Sequence, residues 1–202
     1  IICDDVDGNH VIEINLSGNN LVGTLPSSLG DIASLQELRL HDNRLDGSIP
    51  PGLSSMSNLE HLDLSGNQLE GSIPGDLRSL VNLQELYLSG NRLSGSVPFE
   101  LIYLTNLWNN GIDFRYNALY TTEPSLRHYL NHLQIGGDWE GTQTFAPTGL
   151  SVVSSTENSV SLAWTPISYT GNNGGYEVEY SSTSDGLYTL FATTFDKRVG
   201  NI

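Results

Sequence analysis

The stretch from Leu59 to Leu80 reads LEHLDLSGNQLEGSIPGDLRSL, and the same pattern recurs every 24 residues through the first half of the chain. Asparagine, leucine, glycine and proline each return at a fixed place in this pattern. The recurring residues are Asn19, Asn43, Asn67 and Asn91; Leu21, Leu45, Leu69 and Leu93; Gly23, Gly47, Gly71 and Gly95; Pro26, Pro50, Pro74 and Pro98; and Leu29, Leu53, Leu77 and Leu101. Self-similarity at one constant interval predicts structural units that stack side by side.

Within each unit, alternating leucines predict a short strand. Leu62 and Leu64 lie two residues apart, so their side chains point to the same side of an extended backbone. Such a strand buries its leucines only if the next unit supplies an opposing layer, which predicts a solenoid with a parallel sheet on one face. The recurrent Asn67 carries both a donor and an acceptor, and we expect it to satisfy backbone groups in the turn between neighbouring coils.

The unit LxxLxLxxNxLxGxIPxxLxxL resembles the plant-type leucine-rich repeat, which occurs in plant receptor-kinase ectodomains, polygalacturonase-inhibiting proteins and some secreted bacterial proteins. The LxGxIP half is the specific part of the match, and residues 11–119 hold four close units and a fifth, irregular one. The resemblance implies an α/β-type leucine-rich repeat solenoid with a parallel β-sheet and a right-handed superhelix. It also implies an extra short strand on one flank at Gly47 to Pro50 and its equivalents.

The ends of the repeat region depart from this pattern. In the fifth unit, Ile112, Phe114 and Asn117 follow two extra residues near Trp108, which predicts a local bulge around residues 108–110. We then expect Thr122 to cap a helix that begins near Pro124 and seals the last coil. Its predicted apolar face comprises Leu126, Tyr129, Leu130 and Leu133. We assign residues 1–10 to the remnant of an N-terminal cap and residues 120–145 to this capping helix and a linker.

A second module follows at residues 146–202, where short β-type runs replace the repeat. The string APTGLSVVSSTENSVSLAWTP, followed by GYEVEYSS, resembles the first strands of a fibronectin type III sandwich with Trp164 in its core. A complete domain of that kind needs roughly a hundred residues, whereas 57 are present. We therefore expect a partial all-β immunoglobulin-like sandwich that packs on the solenoid, self-associates with another copy, or continues beyond this segment.

Composition and charge exclude several classes of function. The formal net charge is -15 and Lys197 is the only lysine, which argues against a nucleic-acid partner. No apolar run is long enough for membrane insertion of this segment, and the signatures of common enzymes are missing, so we expect neither catalysis nor a cofactor. Cys3 stands alone, which excludes an internal disulfide. We expect a fragment or mature portion of a secreted or cell-surface protein.

The outward face of the predicted sheet is the candidate binding surface. Residues 24 apart lie side by side in a parallel sheet at about 4.8 Å, so His61 is expected between Glu37 and Glu85. These side chains carry no packing role, yet the scaffold holds them in an open array suited to recognition. The candidate residues are Glu37, Arg39, His41, His61, Asp63, Glu85, Tyr87, Asp113 and Arg115. The alternatives are a solvated face with lateral ion pairs and catalysis by the carboxylates and histidine.

Three smaller groups have simpler explanations than a site. Asp5, Asp7 and Asn9 resemble the alternating oxygen ligands of a calcium loop, but the later glutamate is missing and Asp7 with Gly8 suits a hairpin turn. His128 and His132 lie four apart on the predicted helix, although two ligands do not make a zinc site. Residues 15–17 form a glycosylation sequon, and we expect no glycan and no resident metal.

The function predicted from these features is a non-catalytic extracellular recognition module that binds a protein or a glycan on the outward sheet face. Two alternatives remain at this point. One is a structural spacer or adhesin stalk, in which both modules only set distance and support assembly. The other is an accessory module of a larger secreted enzyme.

Overall fold

The computed structural model describes residues 1–3, 10–143, 148–156, 159–165, 177–180, 189–193 and 201. The chain divides into two compact units, Ile1–Thr144 and Phe145–Ile202. The elements of the first unit are β1 (Ile2–Cys3), β2 (Val11–Asn15), β3 (Val22–Thr24), β4 (Glu37–Arg39), β5 (Arg44–Asp46), β6 (His61–Asp63), β7 (Glu70–Gly71), β8 (Glu85–Tyr87), β9 (Arg92–Ser96), β10 (Ile112–Asp113), β11 (Ala118–Tyr120) and α1 (Pro124–Leu133).

The main sheet of the first unit has the strand order β1-β2-β4-β6-β8-β10. From β2 onward its strands are parallel, and Leu38, Leu62 and Leu86 occupy adjacent places in neighbouring strands. β1 pairs antiparallel with β2, with Ile2 opposite Glu13. The stacked parallel strands that the repeat predicts are therefore confirmed.

The chain returns from each strand through a flank strand and a short 3-10 helix. The flank strands pair as β3-β5 and as β11-β9-β7, so the extra strands implied by the resemblance are present but begin earlier than expected. In β5 the strand stops at Asp46, just before Gly47, which has a φ of 69°. The equivalent Gly23, Gly71 and Gly95 also have positive φ but lie within β3, β7 and β9. The 3-10 helices are Ser27–Asp31, Pro51–Ser55, Gly75–Ser79, Phe99–Tyr103 and Glu140–Thr142.

The core of the solenoid consists of leucine layers. In the unit that begins at Leu59, the side chains of Leu62, Leu64, Leu69 and Leu77 are fully buried, and Ile73 is almost so. Burying one such side chain contributes about 1.5–3 kcal/mol relative to leaving it in water. Each layer is completed by the corresponding layers of the coils above and below it, so no single unit holds its strand alone.

Buried asparagines join successive coils through hydrogen bonds. Asn67 Oδ1 accepts from the backbone N–H of Leu45 in the preceding coil at 3.0 Å, and its Nδ2 donates to the carbonyls of Leu40 at 3.0 Å and Leu64 at 3.1 Å. Asn43, Asn91 and Asn117 make the equivalent bonds. The asparagine side chain therefore replaces the backbone partners that the turn leaves unpaired, as its place in the repeat predicts.

The C-terminal end of the solenoid extends further than the sequence predicts. α1 buries Leu126, Leu130 and Leu133 as expected, but Thr122 is not its cap: Glu123 is the N-cap, without a side-chain hydrogen bond. Residues 134–143, assigned above to the end of a cap and a linker, continue the coil. Gln134 forms a parallel bridge with Ile112.

Gln143 occupies the place that asparagine holds in the other coils. Its Oε1 accepts from the backbone N–H of Leu119 at 2.8 Å, and its Nε2 donates to the carbonyls of Phe114 and Trp139. The glutamine side chain is longer than that of asparagine. It bonds the backbone groups of this turn from a segment that does not follow the repeat pattern. Gln143 is therefore the last member of the ladder of side-chain amides among the described residues.

The described residues of the second unit form two antiparallel strand pairs. β12 (Thr148–Ser155) pairs with β13 (Val160–Thr165), and β14 (Glu177–Tyr180) pairs with β15 (Thr189–Thr193). Trp164 on β13 is buried, whereas Leu150, Val152 and Val153 on β12 are exposed. Among the residues described in either unit, no helix has the length and apolar character needed to cross a bilayer.

Replacing Asn67 by alanine should destabilise the chain by about 3 kcal/mol, because the buried N–H of Leu45 loses its acceptor and the carbonyls of Leu40 and Leu64 each lose one of two amide donors. The matched control is Asn58→Ala. Asn58 also bridges two coils, through Ala33 O at 2.9 Å, but it is exposed and water can replace it. Urea unfolding followed by circular dichroism measures both losses, and equal losses would contradict the structural role of the buried ladder.

Gln143→Ala should cost about 2 kcal/mol and should speed hydrogen exchange at the Leu119 amide, because that N–H loses its acceptor. Gln84→Ala is the control, since Gln84 donates to the side chain of Glu60 without closing a backbone turn. An unchanged exchange rate at Leu119 in Gln143→Ala would show that residues 134–143 do not complete the coil.

Candidate functional site

The outward face of the main sheet is formed by the residues that flank each buried central leucine. Leu62 points into the core, so its neighbours His61 and Asp63 project to the other side of β6. The parallel register places His61 beside Glu37 on one side and beside Glu85 on the other. In the next row, Asp63 lies between Arg39 and Tyr87.

Ion pairs and hydrogen bonds connect this face laterally and along its strands. His61 Nδ1 lies 2.8 Å from Glu85 Oε2, and Arg39 Nη2 lies 3.1 Å from Glu37 Oε2. Asp63 Oδ1 accepts from the backbone N–H of Ser65 at 3.0 Å and from its hydroxyl at 2.6 Å. His41, another of the nine candidates, instead pairs with the neighbouring Asp42, whose Oδ2 lies 3.1 Å from His41 Nδ1.

Asp113 lies beside Tyr87 in the outward row, as the register predicts, but it is covered and only 6% exposed. Arg115 binds its carboxylate in a bidentate manner, with Nε–Oδ1 2.9 Å and Nη2–Oδ2 2.8 Å, and Gln134 Nε2 donates to Oδ1 at 3.0 Å. Gln134 belongs to the additional coil, which covers β10 and therefore buries Asp113. Burial raises the pKa of this carboxyl, but the hydrogen bonds from Arg115, Gln134 and Ser89 outweigh that effect and hold it below its usual range.

Trp108 is a member of this face that the sequence did not assign to it. The indole packs edge-on against the His61 ring, with ring centroids 5.4 Å apart and planes at 67°, and 51% of the residue remains exposed. Trp108 belongs to the two-residue insertion. The bulge ends at Gly111, where a larger residue would not fit because an added Cβ would lie 2.5 Å from Gln84 O. The signal in the sequence was this insertion. It predicts a bulge, but it does not give the direction in which the Trp108 side chain points.

A second contact holds the bulge against the sheet. The hydroxyl of Tyr87 donates to the backbone carbonyl of Asn110 at 3.2 Å. Burial raises the pKa of Tyr87 to about 12, and the negative charges of Glu85, Asp63 and Asp113 act in the same direction. The phenol therefore stays neutral at physiological pH and lies in a negative potential.

The geometry of this face suits binding better than catalysis. The hydroxyls of Ser65 and Tyr87 contact Asp63 and Asn110, whereas His61 contacts Glu85 and Trp108. None of these contacts joins a hydroxyl to the histidine, as a nucleophile and its base would require. Over the described ranges, no three side chains of His, Cys, Asp and Glu come together as a metal site requires. The calcium candidates Asp5, Asp7 and Asn9 lie outside the described residues.

The comparisons with known proteins identify the family. Residues 47–93, together with 10–32 and 34–56, match the leucine rich repeat. A chain in the crystal structure of the BIR3–SERK2 complex from Arabidopsis thaliana is 37% identical with a TM-score of 0.57, over 72% of this chain and 76% of that one. The chain therefore belongs to the leucine-rich repeat proteins.

Two other solved structures extend the comparison. The leucine-rich repeat ectodomain of the receptor kinase SOBIR1 from Arabidopsis thaliana is 36% identical, with a TM-score of 0.52 over 56% of this chain. The Arabidopsis receptor kinase HAESA, solved with the peptide hormone IDA and the co-receptor SERK1, is 34% identical, with a TM-score of 0.55 over 67% of this chain. The match spans 61% of SOBIR1 and 22% of HAESA. No curated protein matches the chain in sequence.

Asp113→Asn should remove a pH-dependent part of the stability. Because the folded-state pKa of Asp113 lies below the unfolded value of about 3.9, the unfolded chain takes up the proton first as the pH falls. The stabilisation is therefore present above about pH 4 and is lost as the pH drops through the folded-state pKa. Urea unfolding at about pH 6 and about pH 3 should show a gap between wild type and variant that narrows at the lower pH. The exposed Asp76→Asn is the control, and a constant gap for Asp113→Asn would contradict this prediction.

Proposed function

We propose that the first unit is a non-catalytic recognition module that binds a peptide or an extended protein segment on the outward face of β4, β6 and β8. The observation that carries this proposal is the row of His61, Asp63 and Tyr87 beside Trp108. The buried leucines fix the backbone beneath these side chains, while the side chains themselves are only partly buried. A rigid scaffold with ready functional groups loses little entropy when it binds a partner.

The solved relatives support this choice of partner. HAESA holds a peptide hormone and a co-receptor, and the BIR3–SERK2 structure is a complex of two proteins. We therefore place this chain outside the cell or on its surface, with repeats of the plant type. The 24-residue register of its strands supports the repeat type, because Leu38, Leu62 and Leu86 lie directly beside one another.

For the second unit we propose a partial fibronectin type III-like sandwich. Its two antiparallel strand pairs and the buried Trp164 on β13 support this assignment. The exposed Leu150, Val152 and Val153 give β12 an apolar surface, which is typical of a strand that takes part in a larger β-structure.

Selection of random linear 12-residue peptides on the immobilised chain, followed by calorimetry on the winners, tests the recognition function. Arg39→Ala and Tyr87→Ala should each weaken binding by roughly tenfold, because each removes a side chain from the proposed contact surface. Melting temperatures of the two variants should stay close to that of the wild type. The control variants are Arg78→Ala and Tyr103→Ala, which remove exposed side chains of the same types from 3-10 helices.

If the selected peptides bind all four folded variants as tightly as the wild type, the outward sheet face is not the binding surface. A glycan array run in parallel distinguishes the second class of ligand. Binding to a glycan that Arg39→Ala and Tyr87→Ala abolish would keep the surface but replace the partner.

A further inference from the structure

We propose that the partner segment is basic, and that one of its lysine or arginine side chains lies against the exposed indole of Trp108 and reaches the carboxylate of Asp63. This inference rests on the proposed function, since it names the chemistry of the ligand for the same surface. The two groups that carry it are Trp108, which the insertion places on the sheet, and the row of acidic side chains around His61.

The orientation of Trp108 leaves an open aromatic surface for a ligand. One part of the indole contacts the His61 ring in an edge-on arrangement, and about half of the residue faces solvent. Gly111 and the Tyr87–Asn110 hydrogen bond fix the bulge that carries it. A tryptophan held in this way is the best aromatic partner for a cation, which binds within about 6 Å of the ring.

The carboxylates around His61 determine the charge of the partner. His61 lies between Glu37 and Glu85, and Asp63 projects two residues further along the same strand. Because Glu37 is paired with Arg39, the attraction comes from Glu85 and Asp63, and strand and residue spacings of about 4.8 and 3.3 Å put both within reach of one long side chain at Trp108. The high pKa of Tyr87, raised in part by Glu85 and Asp63, agrees with a negative potential at this place.

The ion pairs of the two arginines of this face are with Glu37 and Asp113, and not with Asp63 or Glu85. Arg39 pairs with Glu37, and Arg115 is held in a bidentate pair with the buried Asp113. Asp63 contacts Ser65, which brings no positive charge. Residues 10–143 carry 15 acidic residues against six arginines and no lysine, so the wider field also attracts a cation.

An extended segment suits this surface better than a folded basic protein. The exposed row runs across the short strands β4, β6 and β8, and the bulge at 108–110 rises beside it. A peptide can follow the row and place a long side chain at the bulge. Its lysine or arginine would exchange hydration for contacts with an indole and a carboxylate, which is favourable when the charge remains paired.

The test uses the peptides selected on the wild-type chain. Lysine and arginine should be enriched among them, and replacing the basic residues of a selected peptide by glutamine should weaken binding at least tenfold. Trp108→Ala and Asp63→Asn should each weaken binding by roughly three- to tenfold. The matched controls Tyr103→Ala and Asp76→Asn, both exposed on 3-10 helices, should leave affinity unchanged. Raising NaCl from about 50 to about 500 mM should weaken the wild-type complex more than the Asp63→Asn complex.

The outcomes separate this inference from the proposed function. Selected peptides that are neutral or acidic, yet lose binding in Arg39→Ala and Tyr87→Ala, would overturn the basic ligand and keep the surface. Peptides that bind every variant equally, or a selection that enriches none, would overturn both. A wild-type dimer in light scattering that Trp108→Ala converts to a monomer would replace the basic segment by a second copy of the chain.

Discussion

Every coil of the solenoid depends on its neighbours for burial of its leucines and for hydrogen bonds to its turn. The amide of Asn67 illustrates the constraint, because it binds the backbone of the preceding coil and of its own coil at once. A leucine without the next layer would face water, and a turn without the amide would leave buried polar groups unpaired. The outward face is free of both duties, and for that reason its side chains can vary without loss of the fold.

The sequence predicts the regular part of this structure because the interactions there are local and repeated. The interval between Leu38, Leu62 and Leu86 is enough to place His61 beside Glu37 and Glu85, since a parallel register moves all side chains together. The same reasoning fails where the interval breaks. Trp108 lies in the insertion, and its contact with His61 crosses β8, which no periodic argument could supply.

The end of the solenoid shows a second limit of prediction. Gln134 binds the backbone of the last coil beside β10, as a residue of a further strand would, and Gln143 makes the hydrogen bonds of a ladder asparagine. Neither residue lies in the repeat pattern. Their roles follow from where α1 returns the chain, which depends on tertiary packing. Asp113 was placed outward for the same reason: the pattern gives the direction of its side chain but not the coil that later covers it.

The two ends of the main sheet also influence how copies of the chain behave together. β1 is only two residues long and runs antiparallel, while β10 meets the later chain through a single bridge at Gln134. An open row of peptide groups at either end would offer hydrogen bonds to a strand from another molecule, as in edge-to-edge aggregation. Among the described residues, β1 pairs along one outer side of the parallel strands and Gln134 bridges the other, which leaves fewer open peptide groups for such pairing.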